Sequence, residues 1–87
     1  MKRIGEEIEV QTRRNYPYLF RWRGTLYDVR QTYDYWVLQG KWWMNEERRV
    51  YFKVFVGGPR YQGTMVLYHT RFTETCVERW VLDQVFD

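Results

Sequence analysis

The chain has 87 residues, a formal net charge of +3 and 21% aromatic residues. That length supports one hydrophobic core and excludes a second domain. It contains no apolar run near the ~20 residues of a membrane helix, so no membrane association is expected. Met1 to Glu7 has no signal-peptide-like apolar region, and the single cysteine, Cys76, excludes an intrachain disulfide framework and points to a reducing, cytoplasmic compartment.

Turn signals recur at short intervals: Asn15-Tyr16-Pro17, Arg23-Gly24, Gln39-Gly40, Met44-Asn45-Glu46-Glu47 and Gly57-Gly58-Pro59. Between them lie residues rich in Val, Tyr, Phe, Trp and Thr. This spacing predicts an antiparallel all-β meander. In chain order, Glu6 to Thr12 reads as an edge strand carrying Ile8 and Val10, within an N-terminal segment 1–16. Leu19 to Val29 reads as a hairpin. A two-residue loop at Arg23-Gly24 sets Trp22 opposite Thr25 and Phe20 opposite Tyr27, because glycine suits the positive φ of such loops. In that register Phe20, Trp22, Tyr27 and Val29 share one face, and Arg21 and Arg23 point to the other.

Trp42-Trp43 carries a separate argument. Neighbours on a strand point to opposite faces, so one of the two indoles is a candidate exposed anchor unless a bulge intervenes. Arg49 to Val56 alternates Val50, Phe52, Val54 and Val56 against Arg49, Tyr51, Lys53 and Phe55. Gly57 to Arg60 lacks the lysine and following helix of a phosphate-binding loop and reads as a turn. Thr64 to Thr70 alternates Val66 and Tyr68 against Met65, Leu67 and His69. The C-terminus is open between two periods: Val77, Trp80, Val81, Gln84 and Val85 at helical spacing, or Trp80, Leu82, Gln84 and Phe86 on one strand face.

Rolling such strands encloses the aromatic face and removes exposed edges. The expected fold is therefore a single small all-β domain over residues 1–87, a five- or six-stranded bent antiparallel sheet or partly open barrel. Its expected core is Phe20, Trp22, Tyr27, Val29, Phe52, Val54 and Trp80.

The chain lacks the usual marks of catalysis. It has one histidine, His69, and no second ligand at metal spacing around it or around Cys76. Glu6, Glu7, Glu9, Glu46 and Glu47 read as solvated charges. No enzyme activity, metal or cofactor is expected. Binding chemistry is better represented. Eleven of the fourteen basic residues are Arg, which forms bidentate bonds to phosphate or carboxylate and stacks on rings. Arg21, Arg23, Arg49, Tyr51 and Lys53, with an indole from Trp42 or Trp43, form a candidate face for nucleic acid, where cations track phosphates and rings stack on bases. Exposed Trp and Arg equally suit a protein interface. The bland alternative is that rolling buries Tyr51 and Phe55 and leaves scattered arginines.

Taken together, Pro17, Phe20, Trp22, Gly24, Tyr27, Val29, Asp34, Trp36, Gly40, Trp42, Trp43, Tyr51, Phe52, Val54, Leu67-Tyr68, Trp80, Leu82, Val85 and Asp87 resemble an uncharacterised bacterial family of small domains of unknown function. That family occurs alone or C-terminal to proteins similar to Y-family translesion polymerases. The resemblance covers about residues 17–87. It implies a role in DNA repair or damage tolerance, with single-stranded or junction DNA or a translesion-polymerase-like protein as partner. It also implies that Trp80 to Asp87 is a strand returning from Leu67-Tyr68. The connection from His69 to Arg79 is longer than the family pattern, with room for a helical turn at Thr73 to Glu78.

Overall fold

The computed structural model describes residues 2–39, 48–71 and 78–86. Six strands follow one another: β1 (Lys2–Arg13), β2 (Tyr16–Trp22), β3 (Thr25–Gln39), β4 (Arg48–Gly57), β5 (Gln62–Arg71) and β6 (Glu78–Phe86). Each pairs antiparallel with the next, and β6 returns to β1 to close a barrel. The expected all-β class holds, with six strands and full closure. The expectation of an edge strand at Glu6 to Thr12 does not. β1 is bonded to β2 on one side and β6 on the other, which leaves its backbone groups fewer openings for stray pairing.

Two tight hairpins follow from residues that accept positive φ. Arg14 and Asn15 have φ of 52° and 68°, and Arg23 and Gly24 have φ of 50° and 75°. Both central positions are positive, as a type I′ turn requires, and its twist matches the flanking strands. The second hairpin has the expected register, Trp22 beside Thr25 and Phe20 beside Tyr27.

β3 is the longest strand, at 15 residues. Thr25 to Asp28 pair with β2, and Asp28 to Gln39 pair with β4. Register shifts between Val29 and Gln31 and between Thr32 and Asp34 mark two irregularities that bend it. Beyond Asp28 the ladder with β2 stops, and ring contacts of Tyr16 with Tyr35 and Phe52 take its place. We call this end, with the Arg14-Asn15 turn and the starts of β4 and β6, the mouth. The other end, with Arg23-Gly24 and the β4–β5 connection, is the floor.

The core contains Ile8, Phe20, Tyr27, Phe52, Val54, Val56, Met65, Leu67, Leu82 and Val85. Of the seven expected core residues, Phe20, Tyr27, Phe52 and Val54 are buried there, and Trp22, Val29 and Trp80 pack around it half-buried. Phe20 and Tyr27 stack with ring centroids 5.3 Å apart.

The C-terminal segment is a strand, but not with one continuous face. Leu82 pairs with Leu67 and Gln84 with Val66, so Asp83 is an extra residue. This bulge keeps Trp80 and Leu82 inward and substitutes Val85 for Gln84 and Phe86 on the inner face. Phe86 instead lies under the Lys53 ammonium, 5.1 Å from its ring centre. Of the possible helical turn, Thr73 to Val77 lie outside the described residues and Glu78 belongs to β6.

Candidate binding surface

The outer wall of β3 to β6 carries aromatic residues in one lateral row. Trp36 pairs with Tyr51, Tyr51 with Tyr68, and Tyr68 with Val81. Alternation places all of them away from the core. Trp36 and Tyr51 are stacked, with centroids 5.3 Å apart and planes 3° from parallel. Tyr51 and Tyr68 are 5.1 Å apart and tilted by 41°. Each such pair contributes about 0.5–1.5 kcal/mol beyond area burial. Tyr51 is accordingly only 8% exposed although it lies outside the core cluster, while Trp36 is 36% exposed. The expected outward direction of Tyr51 is right, but its own exposure is not. The exposed ring of this row is Trp36, with Tyr68 half-buried.

Cations border this row on both sides. In one flanking row Arg49 sits between Leu38 and Thr70, and Thr70 is next to Arg79. The Arg49 guanidinium lies 4.7 Å from the centre of the Tyr68 ring, and its Nη1 donates to the Tyr51 hydroxyl at 3.4 Å. These contacts fix the guanidinium over the wall. Arg79 Nε is 3.6 Å from Glu7 Oε2. In the other flanking row Lys53 sits between Asp34 and Val66. Tyr33 adds an exposed ring, edge-on to Phe55 at 6.4 Å.

Arg49, Tyr51 and Lys53 therefore share one wall as expected. Arg21 and Arg23 do not join them. Arg21 is exposed on β2 beside Glu9 and Leu26. Leu26 and Leu38, the β3 partners of Arg21 and Arg49, lie near opposite ends of one strand in a molecule 43 Å long. Arg23 is committed to a fork. Its Nη2 and Nε donate to Glu6 Oε2 and Oε1 at 2.6 and 3.3 Å. Those hydrogen bonds hold the Glu6 carboxyl below its usual range and raise Arg23 further. Trp42 and Trp43 lie outside the described residues, as does Cys76.

Trp36 and Tyr68 escaped the sequence-based site. The two register shifts in β3 break the alternation that would have shown Trp36 facing Tyr51. The signal present was the density of strand formers from Thr32 to Val37. Among the described residues, no group of three His, Cys, Asp or Glu side chains is placed to hold a metal, and no helix is long and apolar enough to cross a membrane.

The class defined by these features is a small closed antiparallel barrel with a cation-flanked aromatic outer wall. The family model described as "Domain of unknown function (DUF6504)" matches residues 1–87, and the chain belongs to that family. No curated protein and no solved structure shows detectable similarity to it.

Proposed function

We propose that this chain is a non-catalytic accessory module of bacterial DNA repair or damage tolerance, and that it binds single-stranded nucleic acid on the outer wall of β3 to β5. The observation that carries this reading is the Trp36–Tyr51 stack, held on the wall beside Arg49 and Lys53. Unpaired bases stack on Trp36 and Tyr33, and the cations take phosphates; stacking is worth about 1–3 kcal/mol per base. The repair setting rests on the family resemblance to domains appended to translesion-polymerase-like proteins.

The test is a Trp-fluorescence titration of the chain with single-stranded, duplex and primer-junction DNA at two salt concentrations. With Arg49 and Lys53 as the contacts, log K should fall with log salt at a slope of about −1.4, since each phosphate on a single strand contributes about −0.7. Trp36→Ala should weaken binding about 5- to 150-fold, because loss of one stacked base is worth about 1–3 kcal/mol. Arg21→Ala/Arg23→Ala should change little. Binding lost with that double substitution and indifferent to Trp36→Ala would move the site to the other wall. No binding at low salt would favour the second reading, a protein-docking module that recruits a translesion-polymerase-like partner. What favours that reading is β3 beyond Asp28. Its edge has no β2 partner there among the described residues, and Tyr35, Val37 and Leu38 are exposed along it, which suits addition of a partner's extended strand.

A further inference from the structure

We propose that the mouth of the barrel is a separate ligand site, which takes a planar aromatic ring bearing an anionic group. Among the described residues, side chains do not fill the inner face at this end. A cavity of about 570 Å³ lies there, within the 300–1,000 Å³ usual for small-molecule pockets, and barrel mouths are a favoured place for them. Its apolar walls include Val50, Phe52 and Trp80, and its polar groups include Arg48, His69 and Glu78.

The walls are aromatic and already ordered. Phe52 and Trp80 have ring centres 5.6 Å apart, and His69 and Trp80 are 4.9 Å apart. Tyr16 closes the side where β2 leaves β3, edge-on to Phe52 at 5.9 Å. A flat ring entering this cluster meets ring faces and edges in the offset or perpendicular geometries that aromatic pairs prefer. Little side-chain entropy remains to be lost on binding, because these rings hold one another in place.

The polar groups select the charge. His69 Nε2 lies 3.6 Å from Glu78 Oε2, so the acidic group among the described lining residues faces a histidine. Arg48 lines the same cavity and is exposed at its rim. A guanidinium fork there suits a carboxylate, phosphate or sulfonate on the ligand. The cavity is lined by inward residues such as Val50, Phe52 and Trp80, whereas Trp36 and Tyr51 lie on the outer wall, so this site does not depend on the nucleic-acid reading.

The probe is 2-naphthoate, compared with its uncharged twin 2-naphthylmethanol and with the non-planar cyclohexanecarboxylate. Binding is followed by amide and indole ¹⁵N–¹H shifts. Saturable shifts are expected at the Trp80 indole and at Val50 and His69, with 2-naphthoate binding more tightly than either comparison molecule. Arg48→Ala should weaken 2-naphthoate about tenfold or more, since hydrogen bonds to charged groups contribute about 1.5–3 kcal/mol, and should leave 2-naphthylmethanol unchanged. Trp36→Ala should leave both unchanged, which separates this site from the outer wall. No shift at Trp80 with millimolar 2-naphthoate, equal affinity for the alcohol, or indifference to Arg48→Ala each overturns the proposal. Adenosine 5′-monophosphate and a single-stranded oligonucleotide, added in competition with 2-naphthoate, show whether the ring and anion come from a free nucleotide or from a strand end.

Discussion

Removing the same ring from the two ends of the barrel should cost different amounts. Phe20 is 1% exposed and stacked on Tyr27. Phe52 is 5% exposed and lines the mouth cavity. Phe→Ala in a core costs about 3–5 kcal/mol, including about 24 cal/mol per Å³ of void left behind. A deleted phenyl ring leaves roughly 100 Å³, which at that coefficient is about 2.4 kcal/mol when nothing fills it. At Phe20 the ring is 1% exposed and sits among core side chains, so a cost of about 5 kcal/mol applies. At Phe52 the void merges with space open to water, and the cost falls toward about 3 kcal/mol. For a domain of this size each kcal/mol moves Tm by about 4–8 °C, so Phe20→Ala should melt about 8–16 °C below Phe52→Ala. Thermal and urea unfolding followed by far-UV circular dichroism measure the difference. If Phe20→Ala is unfolded at 25 °C, the Phe20→Leu and Phe52→Leu pair preserves the comparison. An equal or larger loss at Phe52 would show that the mouth is closed and refute the reasoning.

Three further outcomes are expected. Gly24→Ala should destabilise by about 1–2 kcal/mol in urea titration, the cost of an L side chain in the left-handed region, because Gly24 has φ +75° and a Cβ there meets nothing within 4 Å. Glu6→Gln should lower Tm near neutral pH, and its difference from wild type should vanish in acid. Arg23 depresses the folded carboxyl below 4.5, so the stabilisation is complete above that range and is lost as pH falls through the lowered value. A difference that persisted in acid would remove the pair as its cause. Tyr61→Phe should cost about 1 kcal/mol, since the Tyr61 hydroxyl donates to the Phe86 carbonyl and ties the β4–β5 connection to the end of β6; unchanged urea unfolding would show that this tie contributes nothing.

Local chemistry made part of this fold legible. Arg23-Gly24 is a short-range signal, and it fixed which face of Phe20 and Tyr27 is inside. The uninterrupted alternation from Val50 to Val56 did the same for β4. Where an extra residue enters a strand, alternation fails. The bulge at Asp83 exchanged Val85 for Gln84 and Phe86, and the two shifts in β3 concealed Trp36. Closure was illegible for another reason: Ile8 faces Trp80 across the seam, and nothing local to either residue encodes that pairing. The site was half legible. Parity on β4 brought Arg49, Tyr51 and Lys53 together, but one face in the sequence became two walls in the barrel, and Arg21 and Arg23 went to the other.

The seam between β1 and β6 has a consequence for how the molecule is made. Lys2 is the ladder partner of Val85, so β1, made first of these six strands, waits for β6, made last. Until then β1 and β5 both present open edges to any other extended chain nearby. Loop-closure entropy must be met before this pairing stabilises anything, which places folding among the slow, non-local topologies. The same adjacency allows the ends to be joined by a short tether and the chain reopened at Arg23-Gly24. Such a permutant turns the β1–β6 seam into a local hairpin and moves the first-to-last pairing to β2 and β3, whose ladder runs only from Leu19–Asp28 to Trp22–Thr25, so its refolding rate reads which ladder limits closure.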